Sequence, residues 1–163
     1  MYTNLITERL TLRRISLADA EFMLNLVNSQ GWLEFIGDRN ISNQQEAEQY
    51  IQKILSTDDF YYSVFELKET SKPIGIITFL KREDEVFPDI GFALLPQFGS
   101  KGYTFEACKT YLEKIEQVHA YENIIAVTKP DNVKSINLLK KLGLQYSNDK
   151  EKGEETLSYF SLK

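Results

Sequence analysis

The chain lacks several features that disulfide-rich, membrane-spanning and exported proteins need. Its single cysteine, Cys108, cannot form an internal disulfide. It has no apolar run of about 18 residues, the length that a membrane-spanning helix requires. The polar segment Met1 to Glu8 has no apolar signal-peptide core. We therefore expect a protein of a reducing, cytoplasmic compartment that has no membrane partner.

An excess of positive charge is also missing. The chain has 24 acidic and 19 basic residues and a formal net charge of −5. Dedicated nucleic-acid-binding proteins carry a basic footprint, so we expect no nucleic-acid partner. No histidine, cysteine or aspartate residues are spaced as metal ligands, and we expect no metal. We interpret His119, the only histidine, as a surface or capping residue, and Cys108 as a buried helix residue.

The remaining composition is that of a globular protein. Its 163 residues, 42% of them apolar, can form one domain over residues 1–163 with a real core. Hydrophobic periodicity predicts the element order β-α-α-β-β-β-α-β-α-β-β, a mixed α/β sheet with helices on both faces. The first strand is predicted from about Thr7 to Ile15. The segment Gln30 to Ile41, interrupted by two glycines, is predicted to be irregular.

The most informative segment runs from Asp89 to Ala107. An apolar run, Ile90 to Leu95, predicts a buried strand, and Pro96 ends it because proline has no N–H for a sheet ladder. A loop of sequence Gly-Ser-Lys-Gly follows, and a helix is predicted to begin at about Tyr103. Glycines allow close approach of the backbone, and the first N–H groups of a helix have no internal partners. This loop is therefore predicted to hold a phosphate-bearing ligand.

A second strand and helix lie about 30 residues downstream. The run Ile124 to Thr128 predicts a strand, and a helical segment from Asn132 to Leu144 follows it. The two units together resemble the core of the GCN5-related N-acetyltransferases (GNAT). The N-terminal run Thr7 to Arg13, with the sequence Thr-Glu-Arg-Leu-Thr-Leu-Arg, is similar to the first strand of the ribosomal-protein-alanine N-acetyltransferase-like (RimJ/RimL) branch. The resemblance covers nearly the whole chain.

The resemblance implies a central mixed, mostly antiparallel sheet with helices on both faces, and acetyl-CoA as the cofactor. It places the pyrophosphate of coenzyme A on the loop and the pantetheine arm along the preceding strand and the downstream asparagine. The implied cofactor-binding residues are Phe92, Ala93, Leu94, Gly99, Ser100, Lys101, Gly102, Tyr103, Thr104, Asn132 and Ser135. Asn132 is also a good helix N-cap, and both roles remain open.

The loop and the following helix depart from the family pattern. Gly99 replaces a usual Arg or Gln, and Thr104 replaces a small residue. Leu139 stands where many members have a tyrosine that protonates the leaving thiolate, so the usual general acid is missing. Ser135, nearby tyrosines and water are the candidates for that role. Asp89 is a candidate base acting through water, and a solvated acid at a strand end is the alternative for Asp89.

The implied reaction is acetyl transfer to a primary amine. The family binds its acceptor opposite the cofactor, here between Gln30–Ile41 and the hairpin near Asn148–Glu155. The candidate acceptor-binding residues are Trp32, Glu34, Phe35 and Asp38, although Trp32 and Phe35 are also candidate core residues. A protein or peptide N-terminal α-amine is the favoured acceptor. A small-molecule amine and a non-catalytic acyl-CoA-binding protein remain open, as do a monomer and a homodimer.

Overall fold

One eight-stranded sheet organises the chain. The computed structural model describes residues 4–118 and 121–163. The strands are β1 Leu5–Ile6, β2 Leu10–Arg14, β3 Phe60–Leu67, β4 Pro73–Leu80, β5 Asp89–Leu94, β6 Ile125–Thr128, β7 Gln145–Lys152 and β8 Glu155–Ser161. Their order across the sheet is β1-β2-β3-β4-β5-β6-β8-β7. Every neighbouring pair is antiparallel except β5 and β6, which are parallel.

Within the described residues, five α-helices cover the two faces of the sheet. They are α1 Ala20–Val27, α2 Gln30–Phe35, α3 Gln44–Leu55, α4 Tyr103–Gln117 and α5 Val133–Lys141. Buried residues of α4 and α5 pack with one face of the sheet in a cluster that includes Phe65 and Phe79. Buried residues of α1, α2 and α3 pack with the opposite face in a cluster that includes Val64 and Ile76. The mixed α/β fold with helices on both faces is therefore confirmed.

The central strands follow from their side-chain pattern. In β4 nearly every residue from Ile74 to Leu80 is buried, because helices cover both faces of this strand. On β3 the odd-numbered Phe65 packs in the α4 cluster and the even-numbered Val64 packs in the α1 cluster. This alternation is the period of two that a strand imposes. One face of the sheet therefore belongs to α4 and α5, and the other to α1, α2 and α3.

Three local predictions were wrong. The segment after Ser29 forms helix α2 although it was predicted to be irregular, since a single glycine, Gly31, costs a helix only about 1 kcal/mol. The first strand is split by a turn at Thr7–Arg9, where the Thr7 N–H donates to the Leu10 carbonyl (2.9 Å). The strand that contains the apolar run Ile90 to Leu95 was predicted to begin at about Val86, but β5 begins at Asp89.

Candidate functional site

The sheet opens between β5 and β6. Asp89 opposite Ile125 is the only paired position of the two strands, both of which lie wholly within the described part of the chain. The Ile125 N–H donates to the Pro88 carbonyl at 3.0 Å. Beyond this point β5 continues to Leu94 and β6 to Thr128 without pairing. The two parallel strands therefore diverge toward their carboxyl ends and leave a gap in the sheet.

The backbone of β5 presents polar groups to this gap. The Leu95 N–H donates to the Ile74 carbonyl at 2.9 Å, so Leu95 faces β4. In an antiparallel pair the residues that bond to one neighbour alternate with those that face away. Ala93 and Gly91 therefore face β4, and the N–H and C=O groups of Phe92 and Leu94 face the gap. An extended ligand can pair with these groups as an added strand would.

The glycine loop follows β5 after Leu95 and a short 3-10 turn at Pro96–Phe98. Gly102 is the N-cap of α4 with φ of 79°, and Ser100 has φ of 61° although it is not a glycine. Ser100, Lys101 and Gly102 are exposed to solvent. The first N–H groups of the 15-residue helix α4 have no partner within the helix, and the helix dipole adds partial positive charge there. The loop has the backbone geometry and the charge of an anion-binding site.

A cluster that we call the Arg9 clamp supports the loop from the side of β1 and β2. The Arg9 Nε atom donates to Glu106 Oε2 at 2.7 Å, and the Arg9 backbone N–H donates to Glu106 Oε1 at 2.8 Å. The Thr7 hydroxyl donates to the same Oε1 at 2.6 Å. Arg9 Nη1 donates to the carbonyl of Lys101 at 2.9 Å, and the guanidinium lies over the Tyr103 ring at 4.4 Å. The sequence marked Thr7 and Arg9 only as part of a family-like run and did not mark Glu106.

The start of α5 lies on the other side of the gap. Asn132 caps this helix by accepting the Ser135 N–H at 3.2 Å, which confirms the capping role. Both side chains are half-buried, so they retain surface for a ligand. Leu139 is buried in the α4 cluster, where a leucine contributes packing and cannot donate a proton. The N-termini of α4 and α5 thus follow the two strands that diverge.

Asp89 lies where β5 and β6 still pair, at the closed end of the gap. Its side chain is only 6% exposed, and Oδ2 accepts from Arg82 Nε at 2.6 Å. Burial raises the pKa of Asp89 above its ordinary value, and the opposing charge of Arg82 reduces this rise without cancelling it. The interpretation as a solvated strand-end acid is wrong, because the side chain is buried in an ion pair.

The raised pKa of Asp89 predicts how stability depends on pH. The folded carboxyl keeps its proton to a higher pH than the unfolded one, whose pKa is about 3.9. Its contribution to stability is therefore present at low pH and is lost as pH rises through the folded-state pKa. In Asp89→Asn this loss is absent, so the variant should gain stability relative to the wild type as pH rises from about 3.5 to 7. Urea unfolding across this range measures the difference, and a constant difference would contradict the prediction.

Two segments predicted to bind the acceptor meet near the end of β6. Lys129 follows β6, and its Nζ donates to the Glu34 carbonyl at 3.0 Å and pairs with Glu155 Oε1 at 3.1 Å. It thereby joins α2 to the start of β8, beside the opening of the gap. The predicted cleft between the Gln30–Ile41 segment and the β7–β8 hairpin is consistent with this arrangement.

The side chains of the α2 segment that are buried and those that are exposed differ in part from the predicted acceptor-binding set. Trp32 is only 4% exposed and belongs to the core cluster of α1, α2 and α3. Leu33 and Ile36 are 42% and 41% exposed, so they supply the apolar surface here. Glu34 and Asp38 are exposed, and Phe35 is half-buried. Leu33 was not predicted as an acceptor-binding residue because this segment was not expected to be a helix. The spacing of residues along a helix is what shows which of its side chains face solvent.

The remaining candidate groups of the sequence do not contribute to this site. Cys108 is buried as predicted, and burial raises the pKa of its thiol. The predicted role of His119 falls outside the described residues. Within residues 4–118 and 121–163 there is no group of three His, Cys, Asp or Glu side chains that could hold a metal ion. None of the helices in this part of the chain is both long and apolar enough to cross a membrane.

Comparison with known proteins identifies the class that this fold and gap define. Residues 9–145 match the acetyltransferase (GNAT) domain family. The chain therefore belongs to this family, and the expectation of an acetyl-CoA-dependent acetyltransferase is confirmed.

Individual relatives agree with this family. YnaD of Bacillus subtilis (strain 168), an uncharacterized N-acetyltransferase, is 25% identical over 142 residues, which cover 87% of this chain and 82% of YnaD. A GNAT-family acetyltransferase from Bacillus anthracis superposes with a TM-score of 0.83 at 22% identity, covering 98% of this chain and 97% of that one. RimL, a ribosomal L7/L12 α-N-protein acetyltransferase in complex with coenzyme A, superposes with a TM-score of 0.84 at 13% identity, covering 96% and 95%. At these identities the superpositions show a shared fold.

Proposed function

We propose that the chain acetylates the N-terminal α-amine of a protein or peptide. The gap between β5 and β6, flanked by the N-termini of α4 and α5, is the observation that carries this proposal. Bound acetyl-CoA supplies an acetyl thioester that an amine can attack directly. We also propose that the chain acts as one domain of the RimJ/RimL-like branch.

Coenzyme A fits the chemistry of the site. The N–H groups from Ser100 to Thr104, that of Tyr103 included, would hold its pyrophosphate together with the charge of Lys101, and Gly99 would lie beside them. The gap-facing N–H and C=O groups of Phe92 and Leu94 would pair with its pantetheine amides. A helix N-terminus favours an anion by about 0.3–1 kcal/mol when exposed, so several such contacts are needed together.

The opposite side of the gap completes the cofactor site. The half-buried amide of Asn132 and the half-buried hydroxyl of Ser135 would contact the pantetheine arm. Ala93 contributes its side chain on the face of α1, α2 and α3, where it packs against that cluster. Ser135 is also the hydroxyl that we propose as a proton donor, since Leu139 is buried and carries no proton to donate.

The chemistry of the amine favours an α-amine. A lysine-like amine with a pKa near 10.4 costs on the order of 4–5 kcal/mol to deprotonate at neutral pH, whereas an α-amine near 7.8 costs about 1 kcal/mol. Asp89, the proposed base acting through water, is already paired with Arg82. A carboxylate held in an ion pair suits an amine whose deprotonation costs little free energy. The same Asp89→Asn variant tests this role, since the acid side of its pH–rate profile should change.

The proposed acceptor cleft has the charge that an amine requires. Glu34 on α2 and Asp38 just after it are exposed, whereas Glu155 on the facing hairpin is already paired with Lys129. Carboxylates at this position would attract a protonated amine approaching the site. The exposed side chains of Leu33 and Ile36 would pack against the apolar part of a peptide.

Competition among acceptors tests the proposal. Acetyl-CoA consumption is measured with peptides that have a free N-terminus, with the same peptides α-acetylated, and with polyamines and aminoglycosides. We expect turnover with the free peptides and none with their α-acetylated forms. Turnover with polyamines or aminoglycosides alone would overturn the α-amine preference, and binding of acetyl-CoA without any turnover would favour a non-catalytic acyl-CoA-binding protein.

A further inference from the structure

We propose that Arg9 is a positioning residue for the anion-binding loop. It orients the peptide between Lys101 and Gly102 and neutralises Glu106, so that the loop can receive a pyrophosphate. The inference rests on the proposed placement of coenzyme A, and it assigns a role to a side chain from the other end of the chain.

The contacts of Arg9 are directed at two different groups. One edge of the guanidinium binds the Glu106 carboxylate through Nε, and Nη1 binds the Lys101 carbonyl. The planar guanidinium can serve both groups at once because its donors diverge in a fixed fork. Its position over the Tyr103 ring adds a cation–π contact on the first residue of α4.

The contact with Lys101 determines where the next N–H points. The peptide unit is planar and trans, so the Lys101 carbonyl and the Gly102 N–H point in opposite directions. While Arg9 holds the carbonyl on its own side, the Gly102 N–H faces away from Arg9. Ser100 and Gly102 both have left-handed backbone conformations, and Lys101 between them is exposed to solvent.

The contact with Glu106 removes a repulsion. Glu106 lies in the first turn of α4, where its negative charge would otherwise face a bound phosphate. Its side chain is 17% exposed, compared with 41% for Arg9, so water screens it only in part. The Thr7 hydroxyl and the Arg9 backbone N–H hold the carboxylate turned toward β1 and β2. Burial raises the pKa of Glu106, but the hydrogen bonds from Thr7 and Arg9 outweigh burial and lower it, so the group is ionised at neutral pH and needs a counter-charge.

Kinetics with two acetyl donors, acetyl-CoA and acetyl-pantetheine, distinguish a positioning role of Arg9 from a general loss of stability. Acetyl-CoA carries the pyrophosphate, whereas acetyl-pantetheine lacks it and uses only the gap. We expect Arg9→Gln to raise the KM for acetyl-CoA by about tenfold or more, since a hydrogen bond to a charged group supports a change of that size. The kcat with acetyl-CoA and the kcat/KM with acetyl-pantetheine should both stay within about twofold of the wild type.

Lys109→Gln is the matched control. It removes one positive charge from α4, the helix that carries Glu106, where Lys109 makes a weak i,i+4 contact of 3.9 Å with Glu113. We expect it to leave the preference for acetyl-CoA over acetyl-pantetheine unchanged. All kinetics are measured well below the melting temperature of each variant. If Arg9→Gln does not fold, Arg9→Lys is measured in its place, because it keeps the charge but lacks the fork.

The outcomes for Arg9 and for the cofactor site are distinguishable. If the wild-type protein has the same kcat/KM with acetyl-CoA and with acetyl-pantetheine, the proposed pyrophosphate site itself is contradicted. A wild type that prefers acetyl-CoA, with an Arg9 variant that keeps the whole preference, would overturn the positioning role alone.

Discussion

Replacing Gly75 by alanine is expected to destabilise the protein by about 3 kcal/mol or more. Gly75 lies on β4 between β3 and β5, and a Cβ atom there would overlap the ring of Phe65 and lie 2.7 Å from the Ala93 carbonyl oxygen. Phe65 is fully buried, so its ring cannot move aside into solvent. The added methyl group therefore displaces either the core or β5, the strand that borders the gap.

Urea unfolding of Gly75→Ala measures this loss, and Gly31→Ala is its control. Gly31 lies in α2, and an added Cβ would meet nothing within 4 Å. Alanine is favoured over glycine inside helices by about 1 kcal/mol, so Gly31→Ala should be neutral or stabilising. A loss below about 1 kcal/mol at Gly75 would contradict the close packing of β3, β4 and β5 around this residue.

Gly102→Glu is expected to weaken coenzyme A binding by about a hundredfold, which corresponds to about 2.8 kcal/mol. Gly102 caps α4 with φ of 79°, a conformation that costs a non-glycine residue about 1 kcal/mol or more. A Cβ there would lie 3.5 Å from Arg9 Nη2, so the new carboxylate can compete with Glu106 for Arg9. Its negative charge would also repel the pyrophosphate at the helix N-terminus.

Titration calorimetry with coenzyme A measures this effect, and Gly153→Glu is the matched control. Gly153 has φ of 63° in the turn between β7 and β8, with nothing within 4 Å of an added Cβ. Both substitutions add one negative charge and one strained residue, but only Gly102 belongs to the proposed cofactor site. Equal affinities of the two variants for coenzyme A would contradict the placement of the pyrophosphate.

Much of the fold was predictable because its signals are local. The strand before Pro96 and the start of α4 at Tyr103 follow from an apolar run and a glycine loop. The prediction that this strand is buried was wrong for Gly91 to Leu94, which are half-buried beside the gap. The capping role of Asn132 follows from residue type and position.

In contrast, α2 was missed because a six-residue helix carries little periodicity and contains Gly31. Its stabilising contacts are tertiary, since Trp32 packs into the core and Lys129 donates to the Glu34 carbonyl.

The candidate site was predictable only in part. The residues of the loop were found because they are consecutive. Arg9 and Glu106 were not paired, since they are 97 positions apart and nothing local connects them. Asp89 was recognised as a notable acid, but its partner Arg82 and its burial depend on how β4, β5 and β6 pack.

The sequence by itself determined the α/β class, the strand–loop–helix unit from Asp89 to Ala107, and the family-like pattern that led to an acetyltransferase. These depend on neighbouring residues, whose spacing sets secondary structure and backbone geometry. Only the tertiary structure decided that β5 and β6 diverge after Asp89 and Ile125, that the clamp of Arg9 lies against the loop, and that Trp32 is core while Leu33 is exposed. Each of these depends on contacts between segments far apart in the chain, and the burial and hydrogen-bond partners that result are properties of the packed sheet.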